Sequence, residues 1–151
     1  MAWPTHQADD IGILTVNSKS DPDTPSGWTE VTGSPLTATS GTTTARLSVF
    51  WKRAASGAES NASVMGCGAV AHGIIMTWRG AITSGTPFDV LNTDTKTTLN
   101  KTTSIDGVTA TENCNEILYV VARAGDNGAT AQYSNEANSN LVGLQEIVDG
   151  S

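Results

Sequence analysis

Few side chains in this sequence have the type and spacing that catalysis requires. The only two histidines, His6 and His72, lie far apart, and the chain has no Gly-x-Ser-x-Gly turn to present a nucleophilic serine. His72 lies in an apolar run among Ala and Gly residues. We therefore expect it to be a hydrogen-bonded core histidine rather than a catalytic base, and the sequence predicts that the protein is not an enzyme.

Four aspartates near the N-terminus are the next candidates for chemistry. Asp9 and Asp10 are adjacent, and Asp21 and Asp23 are one residue apart. A glycosidase holds two carboxyl groups across a cleft, and nothing in this spacing requires that arrangement, so solvated turn residues are expected. Neighbouring loops that carry these carboxylates would suit a hard cation such as calcium. No EF-hand pattern is present and no cofactor is expected, but calcium at these loops stays open.

The two cysteines, Cys67 and Cys114, are too few and too isolated to form a zinc site. The N-terminal residues, Met1-Ala-Trp-Pro-Thr-His, have neither a basic segment nor an apolar segment of the kind that directs export. We therefore expect the chain either to stay in the cell that makes it or to leave by a route other than signal-peptide export, of which assembly inside a host followed by lysis is one. Because the cytosol is reducing, both cysteines are expected to be buried free thiols. A disulfide between them is the open alternative.

Tryptophan dominates the aromatic residues, with four Trp against two Tyr and two Phe. Trp28 and Trp51 lie within predicted strands and are expected in the core. Trp3 lies in an otherwise polar segment, where its ring either packs back onto the domain or docks onto a partner. Because aromatic residues dominate interface hot spots, the predicted partner-binding residues are Trp3, Pro4, His6, Trp78 and Arg79.

Short apolar or alternating runs, separated by Pro, Gly, Asp and Ser clusters, have the spacing of antiparallel all-β domains. The predicted strands are 11–16, 28–31, 45–54, 63–68, 69–79 (with a bend near Gly73, and central to its sheet), 115–124, 129–133 and 141–148. In the third strand, Leu47, Val49 and Trp51 are expected on the apolar side. Phe50 is the exception on the polar side, so that side is expected to be partly covered. Residues 36–44 are predicted to form an exposed loop or a mobile edge. The sequence thus predicts a single-domain β-sandwich.

Composition and charge exclude some classes of partner. The net charge of the 151 residues is −7, and only 15% of the residues are charged. Nucleic-acid binding needs clustered Lys and Arg, and this chain has eight scattered cations. Binding to an anionic membrane is disfavoured for the same reason. The abundance of Thr, Ser, Gly and Asn is typical of a secreted or virion-surface β protein.

The order of turn and strand motifs resembles jelly-roll modules of tailed-bacteriophage virion proteins. The resemblance lies in Pro4-Thr-His-Gln-Ala-Asp-Asp10, in Pro25-Ser-Gly-Trp-Thr29 and in Arg46-Leu-Ser-Val-Phe-Trp-Lys52. It extends to the apolar segments Ala69–Gly80 and Asn115–Arg123. The family has Gly-Asp where this chain has Asp9-Asp10. The motifs consist of turn formers and core residues, so they indicate a fold more strongly than a role.

The resemblance implies a jelly-roll β-sandwich of about eight strands over 9–151, preceded by an N-terminal arm over 1–8. A single module of this size is similar to capsid decoration (cement) proteins, which clamp neighbouring capsomers on the outer head surface. The expected partners are the phage major capsid protein and further copies of the chain, with a trimer favoured. The expected location is the capsid surface, after assembly in the host cytoplasm. The alternative is a carbohydrate- or receptor-binding module of a tail fibre.

Overall fold

The computed structural model describes residues 1–40, 42–69, 71–95, 104, 106–112, 118 and 120. Within these residues the protein is all-β, with five antiparallel strands in one sheet. The strands are β1 (Ile11–Ser18), β2 (Thr29–Glu30), β3 (Leu36–Ser40), β4 (Thr43–Arg53) and β5 (Ala71–Trp78). The prediction of an antiparallel all-β fold is therefore confirmed. The strands predicted at 129–133 and 141–148 lie outside the described residues, as does most of the strand predicted at 115–124.

The central strand of this sheet is β1, which pairs with β4 on one side and with β5 on the other. Every residue of β1 except Asn17 is buried. A strand that is covered on both faces has a continuous apolar run rather than a strict alternation. This is why the sequence Ile-Gly-Ile-Leu-Thr-Val forms a central strand.

The longest strand, β4, is shared among three neighbours. From Arg46 to Arg53 it pairs with β1, and its opposite side pairs first with β3 and then with β2. Beyond the end of β1 at Ser18, residues 38–40 and 43–45 continue as a two-stranded ribbon. We call residues 38–45 the ribbon; position 41 is not described.

One face of the sheet, the inner face, contains the main hydrophobic cluster. Leu14 lies opposite Phe50 on one side and Ile75 on the other, which places three apolar side chains in one row across three strands. Val16, Trp28 and Ala62 complete the cluster. Phe50, the exception on the expected polar side of β4, is fully buried in this cluster, so that side belongs to the core.

The opposite face, the outer face, is also apolar. Ile13 and Leu47 are buried there, whereas Val49 and Trp51 are half-buried. The Trp51 ring meets Phe88 edge-on, with 6.2 Å between the ring centroids. No helix in the described part of the chain is long and apolar enough to span a membrane.

Two segments differ from the sequence prediction for reasons of backbone pairing. Residues 36–40, expected as an exposed loop or a mobile edge, form a strand at the edge of the described sheet, because β4 provides the hydrogen-bonding partner that a Thr-rich segment needs. Residues 63–68 are not a strand. Gly66 and Gly68 adopt positive φ angles of 77° and 79° there. The carbonyls of Met65 and Cys67 instead accept hydrogen bonds from the loop before β2.

The strand predicted at 69–79 is present, but one of its residues was placed wrongly. The strand β5 occupies Ala71–Trp78, within the predicted bounds, and its neighbour among the described strands is β1. That it is central to its sheet stays a prediction. His72 is exposed rather than in the core. It pairs with Asn17, at the end of the sheet where β1 finishes and the apolar cluster no longer extends.

Candidate partner-binding surface

The N-terminal segment, residues 1–10, is fastened to the domain at both of its ends. The Met1 ammonium donates to the Ala62 carbonyl over 2.5 Å, and the Ala62 amide donates to the Met1 carbonyl over 2.8 Å. At the other end, the Asp9 amide donates to the Ala54 carbonyl and the Ala54 amide donates to the Asp10 carbonyl, both over 2.9 Å. This segment thus lies along segment 54–62, and from here on we call residues 1–10 the arm.

Two glycines of the sheet provide the space in which the arm lies. A Cβ at Gly12 would lie 2.4 Å from the six-membered ring of Trp3, and a Cβ at Gly73 would lie 2.5 Å from the Met1 sulfur. Glycine within a strand often marks such a close approach. Gly73 was predicted to bend its strand, but it stays paired with Val16 and accommodates Met1 instead.

Trp3 and His6, two of the predicted partner-binding residues, are half-buried against the domain. The Trp3 ring lies 5.2 Å from the Trp28 ring and 4.8 Å from the His6 ring, centroid to centroid. His6 Nε2 accepts the Glu59 amide at 3.1 Å, and Nδ1 lies 2.7 Å from the Pro4 carbonyl oxygen. This pattern fits neutral imidazole with its proton on Nδ1. Pro4 itself is exposed.

A charged pair borders the aromatic cluster. Lys52 Nζ lies 2.5 Å from a Glu59 carboxylate oxygen and 6.0 Å from the centroid of the Trp3 ring. The other Glu59 oxygen accepts the Ala55 amide over 2.7 Å. Hydrogen bonding from Lys52, outweighing the cost of burial, lowers the pKa of Glu59 from its ordinary 4.5. The carboxylate therefore stays ionised and fixes the loop after β4.

Arg79 binds the C-terminal end of the arm, at Asp10. Its Nε and Nη2 atoms donate to the two carboxylate oxygens of Asp10 over 3.2 and 3.0 Å, and the Gln7 amide donates to one of them over 2.9 Å. The Arg79 hydrogen bonds lower the pKa of Asp10 from its ordinary 3.8, and the same contact raises the pKa of Arg79. The Arg79 side chain remains 59% exposed.

Trp78 is separated from the other predicted partner-binding residues. It is half-buried and pairs with Ile11, so it belongs to the outer face, whereas Trp3 lies against the inner face. The structure therefore brings Trp3 and His6 together beside the exposed Pro4, ties Arg79 to the end of the arm, and leaves Trp78 on the other side of the sheet. Their role in partner binding stays a prediction.

An open groove of about 570 Å³ lies beside the arm, between segments 23–28 and 60–65. Trp28, Lys52 and Ala62 line the groove and also contact the arm. Met65 also lines the groove, with 68% of its surface exposed. The remaining lining side chains are mainly hydroxyl, amide and carboxylate groups, including Asp23, Ser60, Asn61 and Ser63. We call the arm and this groove the arm–groove surface.

The acidic residues suggested for calcium are not gathered into a site. Asp10 is bound to Arg79, and Asp9, Asp21 and Asp23 are exposed. Among the residues that the structure describes, no group of three or more His, Cys, Asp or Glu side chains is placed to hold a metal ion. Cys67 is a half-buried free thiol, and Cys114 lies outside the described residues.

Several residues of this surface were not singled out from the sequence. No periodic pattern in the sequence marks Lys52 and Glu59, because Lys52 lies in β4 and Glu59 in the loop that follows, and only the fold brings the two side chains together. Ala62 contributes through its backbone, which sequence reasoning does not detect. Gly12 did have a signal, since a glycine between two isoleucines in a strand indicates a close approach.

The chain matches no protein-family model, no curated protein and no solved structure. What the arm–groove surface can bind therefore has to follow from its own side chains and shape.

Proposed function

We propose that the protein is a non-enzymatic virion structural protein of a tailed bacteriophage. In this proposal it is a capsid decoration protein that binds the outer surface of the head and stabilises contacts between capsomers. The support comes from the turn and strand motifs described above and from the arm–groove surface. We also propose that the sheet is one layer of a jelly-roll sandwich of about eight strands. The buried outer-face residues Ile13 and Leu47 support a second layer.

The observation that carries this proposal is how the arm–groove surface uses its polar groups. His6, Asp10 and Glu59 are each engaged by protein donors or acceptors that fasten the arm and the loop after β4. The neighbouring groove is open and lies between segments 23–28 and 60–65, with Trp28 and Met65 among hydroxyl and amide groups. A mixed apolar and polar groove of this kind suits an extended segment of a partner protein.

The mechanism is binding alone. A stable protein interface buries roughly 1,200–2,000 Å² in total, and several copies joined together multiply the strength of each contact. The proposed partners are the major capsid protein and further copies of the chain in a trimer. The proposed location is the capsid surface, after assembly in the host cytoplasm.

The second candidate is a carbohydrate- or receptor-binding module of a tail fibre. The hydroxyl, amide and carboxylate groups of Asp23, Ser60 and Asn61 in the groove favour it, because such groups bind sugar hydroxyls. Trp28, the one tryptophan that lines the groove, is only 7% exposed. It therefore offers little ring face for stacking against a sugar.

The test is sedimentation of the protein with empty, expanded heads of the phage that encodes it. We expect the wild-type protein to co-sediment at a stoichiometric ratio. Met65→Lys, in the groove, is expected to weaken head binding roughly tenfold, the change that about 1.4 kcal/mol produces.

Ile82→Lys is the matched control, because Ile82 is similarly exposed, at 60%, and does not line the groove. It should bind heads like the wild type. A wild-type protein that ignores heads but binds host cells or a glycan array would overturn the decoration proposal and support the receptor-binding module.

A further inference from the structure

The edge of β3 that no described strand pairs with lacks the features that usually protect the edge of a sheet. Among the described residues, β3 pairs only with β4, in an uninterrupted register from Leu36 to Ser40. Natural edge strands are blunted by lysines, prolines, inward-pointing charges or bulges. The sequence Leu-Thr-Ala-Thr-Ser contains no charged residue and no proline, and the register contains no bulge. Thr37 and Thr39 are exposed.

The position of β3 in the ribbon also favours pairing with a further strand. In the ribbon, the described residues form only two strands, because β1 ends at Ser18 and no longer supports β4. A two-stranded hairpin by itself is marginally stable in water. A third strand added to the free edge would supply partners for the outward-facing backbone groups of β3 and would stabilise the ribbon.

The distribution of charge limits which chain could provide this third strand. The chain carries 15 acidic residues and a net charge of −7, yet residues 31–58 contain neither Asp nor Glu. A second copy, which is acidic as a whole, therefore meets no carboxylate side chain from the segment that contains β3. Arg46, the cation paired with Thr37 across the ladder, already donates to the Lys19 carbonyl at 2.7 Å.

We propose that β3 pairs antiparallel with β3 of a second copy of this chain, about a two-fold axis at Ala38. The sequence Thr37-Ala38-Thr39 reads the same in both directions. In this register Thr37 of each copy lies opposite Thr39 of the other, and cross-strand Thr pairs stabilise sheets. The contact is isologous, which means that both copies use the same residues. It therefore doubles the number of chains in any assembly that forms it. It does not depend on the decoration function and adds to the trimer proposed above.

A contact built on five residues per copy is small compared with the roughly 1,200 Å² of a stable interface. The association is therefore expected to depend on protein concentration. The measurement is the mass in solution by light scattering over a concentration series. Two charge variants of the full chain test the register: Thr37→Lys with Thr39→Lys, and Thr37→Lys with Thr39→Glu.

The first variant places like charges opposite each other twice across the axis, and the second places opposite charges there. We expect the Lys/Lys variant to have half the mass of the wild type at high concentration, and the Lys/Glu variant to keep the wild-type mass. Thr83→Lys, at an exposed loop position away from β3, is expected to keep it as well. Circular dichroism checks that each variant is folded.

The proposal is overturned if the mass of the wild-type protein does not change with concentration. It is also overturned if the two charge variants have the same mass as each other. Because head binding is measured separately by sedimentation, failure of the edge contact leaves the decoration proposal to its own test.

Discussion

The two halves of β4 show how differently one strand can be used. From Arg46 to Arg53, β4 is flanked on both sides and carries Ser48 and Phe50, both fully buried. In the ribbon, the same strand has only β3 beside it among the described residues, and the hydroxyls of Thr39 and Thr44 are hydrogen-bonded over 3.3 Å. The enclosed half therefore holds the fold together, whereas the ribbon offers backbone groups and hydroxyls to another molecule.

The clearest way to break the enclosed half is to remove its central side chain. Phe50→Ala leaves a cavity between Leu14 and the core residues around it, and burying less aromatic surface adds to the loss. We expect the free energy of unfolding to fall by about 3–5 kcal/mol, measured by urea unfolding. Val49→Ala, at the next, half-buried position on the outer face, should cost clearly less. Equal losses would show that the inner face is not the dominant core.

A smaller effect is expected where the arm meets the sheet. In Gly12→Ala, the new methyl group would lie 2.4 Å from the Trp3 ring, so the ring has to move. Overpacking of this kind costs about 1–3 kcal/mol, and the displaced indole should change the tryptophan fluorescence. Gly107→Ala serves as the control, because no atom lies within 4 Å of a Cβ there. An unchanged fluorescence spectrum in Gly12→Ala would mean that Trp3 does not rest on β1.

Acid should loosen the arm before it unfolds the whole sheet. The folded-state pKa values of Asp10 and Glu59 lie below the ordinary 3.8 and 4.5. Each carboxylate therefore contributes stability that is fully present above its ordinary pKa and is lost as the pH falls through the lowered value.

We expect the melting temperature to drop below about pH 4.5, and Asp10→Asn to make that drop shallower. Asp9→Asn is the matched control, since Asp9 is exposed and has a φ of 69°, which asparagine tolerates well. It should leave the acid profile unchanged. If Asp9→Asn flattens the profile as much as Asp10→Asn, the Arg79 ion pair is not the source of the effect.

The smallest effect is expected in the ribbon. Thr39→Ala removes an exposed hydrogen bond, and surface substitutions of this kind usually change stability by less than about 0.5 kcal/mol. Urea unfolding should therefore barely distinguish it from the wild type. A loss as large as that of Gly12→Ala would show that the ribbon is part of the cooperative core.

The sequence located β1, β4 and β5 to within a few residues, because an apolar or alternating run bounded by turn formers is a local signal. It also located β2, although Thr29 is exposed and Glu30 only half-buried. It left β3 undecided between an exposed loop and a mobile edge, since a Thr-rich segment becomes a strand only when a partner is beside it. It expected only partial cover on the Phe50 side of β4, because Ser48 and Lys52 make that side look polar, whereas Phe50 and Ser48 are fully buried.

The arm–groove surface was predictable only in part. Trp3, Pro4 and His6 were singled out by the contrast between an aromatic residue and its polar surroundings. The contact of Trp3 with Gly12 and the pairing of Lys52 with Glu59 join segments that are separated along the chain. No periodic pattern records such contacts, and only the folded chain shows them.

The most direct test of the account is hydrogen–deuterium exchange of the protein, free and bound to expanded heads. In the free protein, we expect slow exchange in β1 and residues 46–53, and fast exchange in the described part of the ribbon. On binding to heads, segments 23–28 and 60–65 should become protected, because they form the walls of the groove. Protection confined to residues 82–95, with exchange in the groove walls unchanged, would contradict the assignment of the arm–groove surface as the docking site.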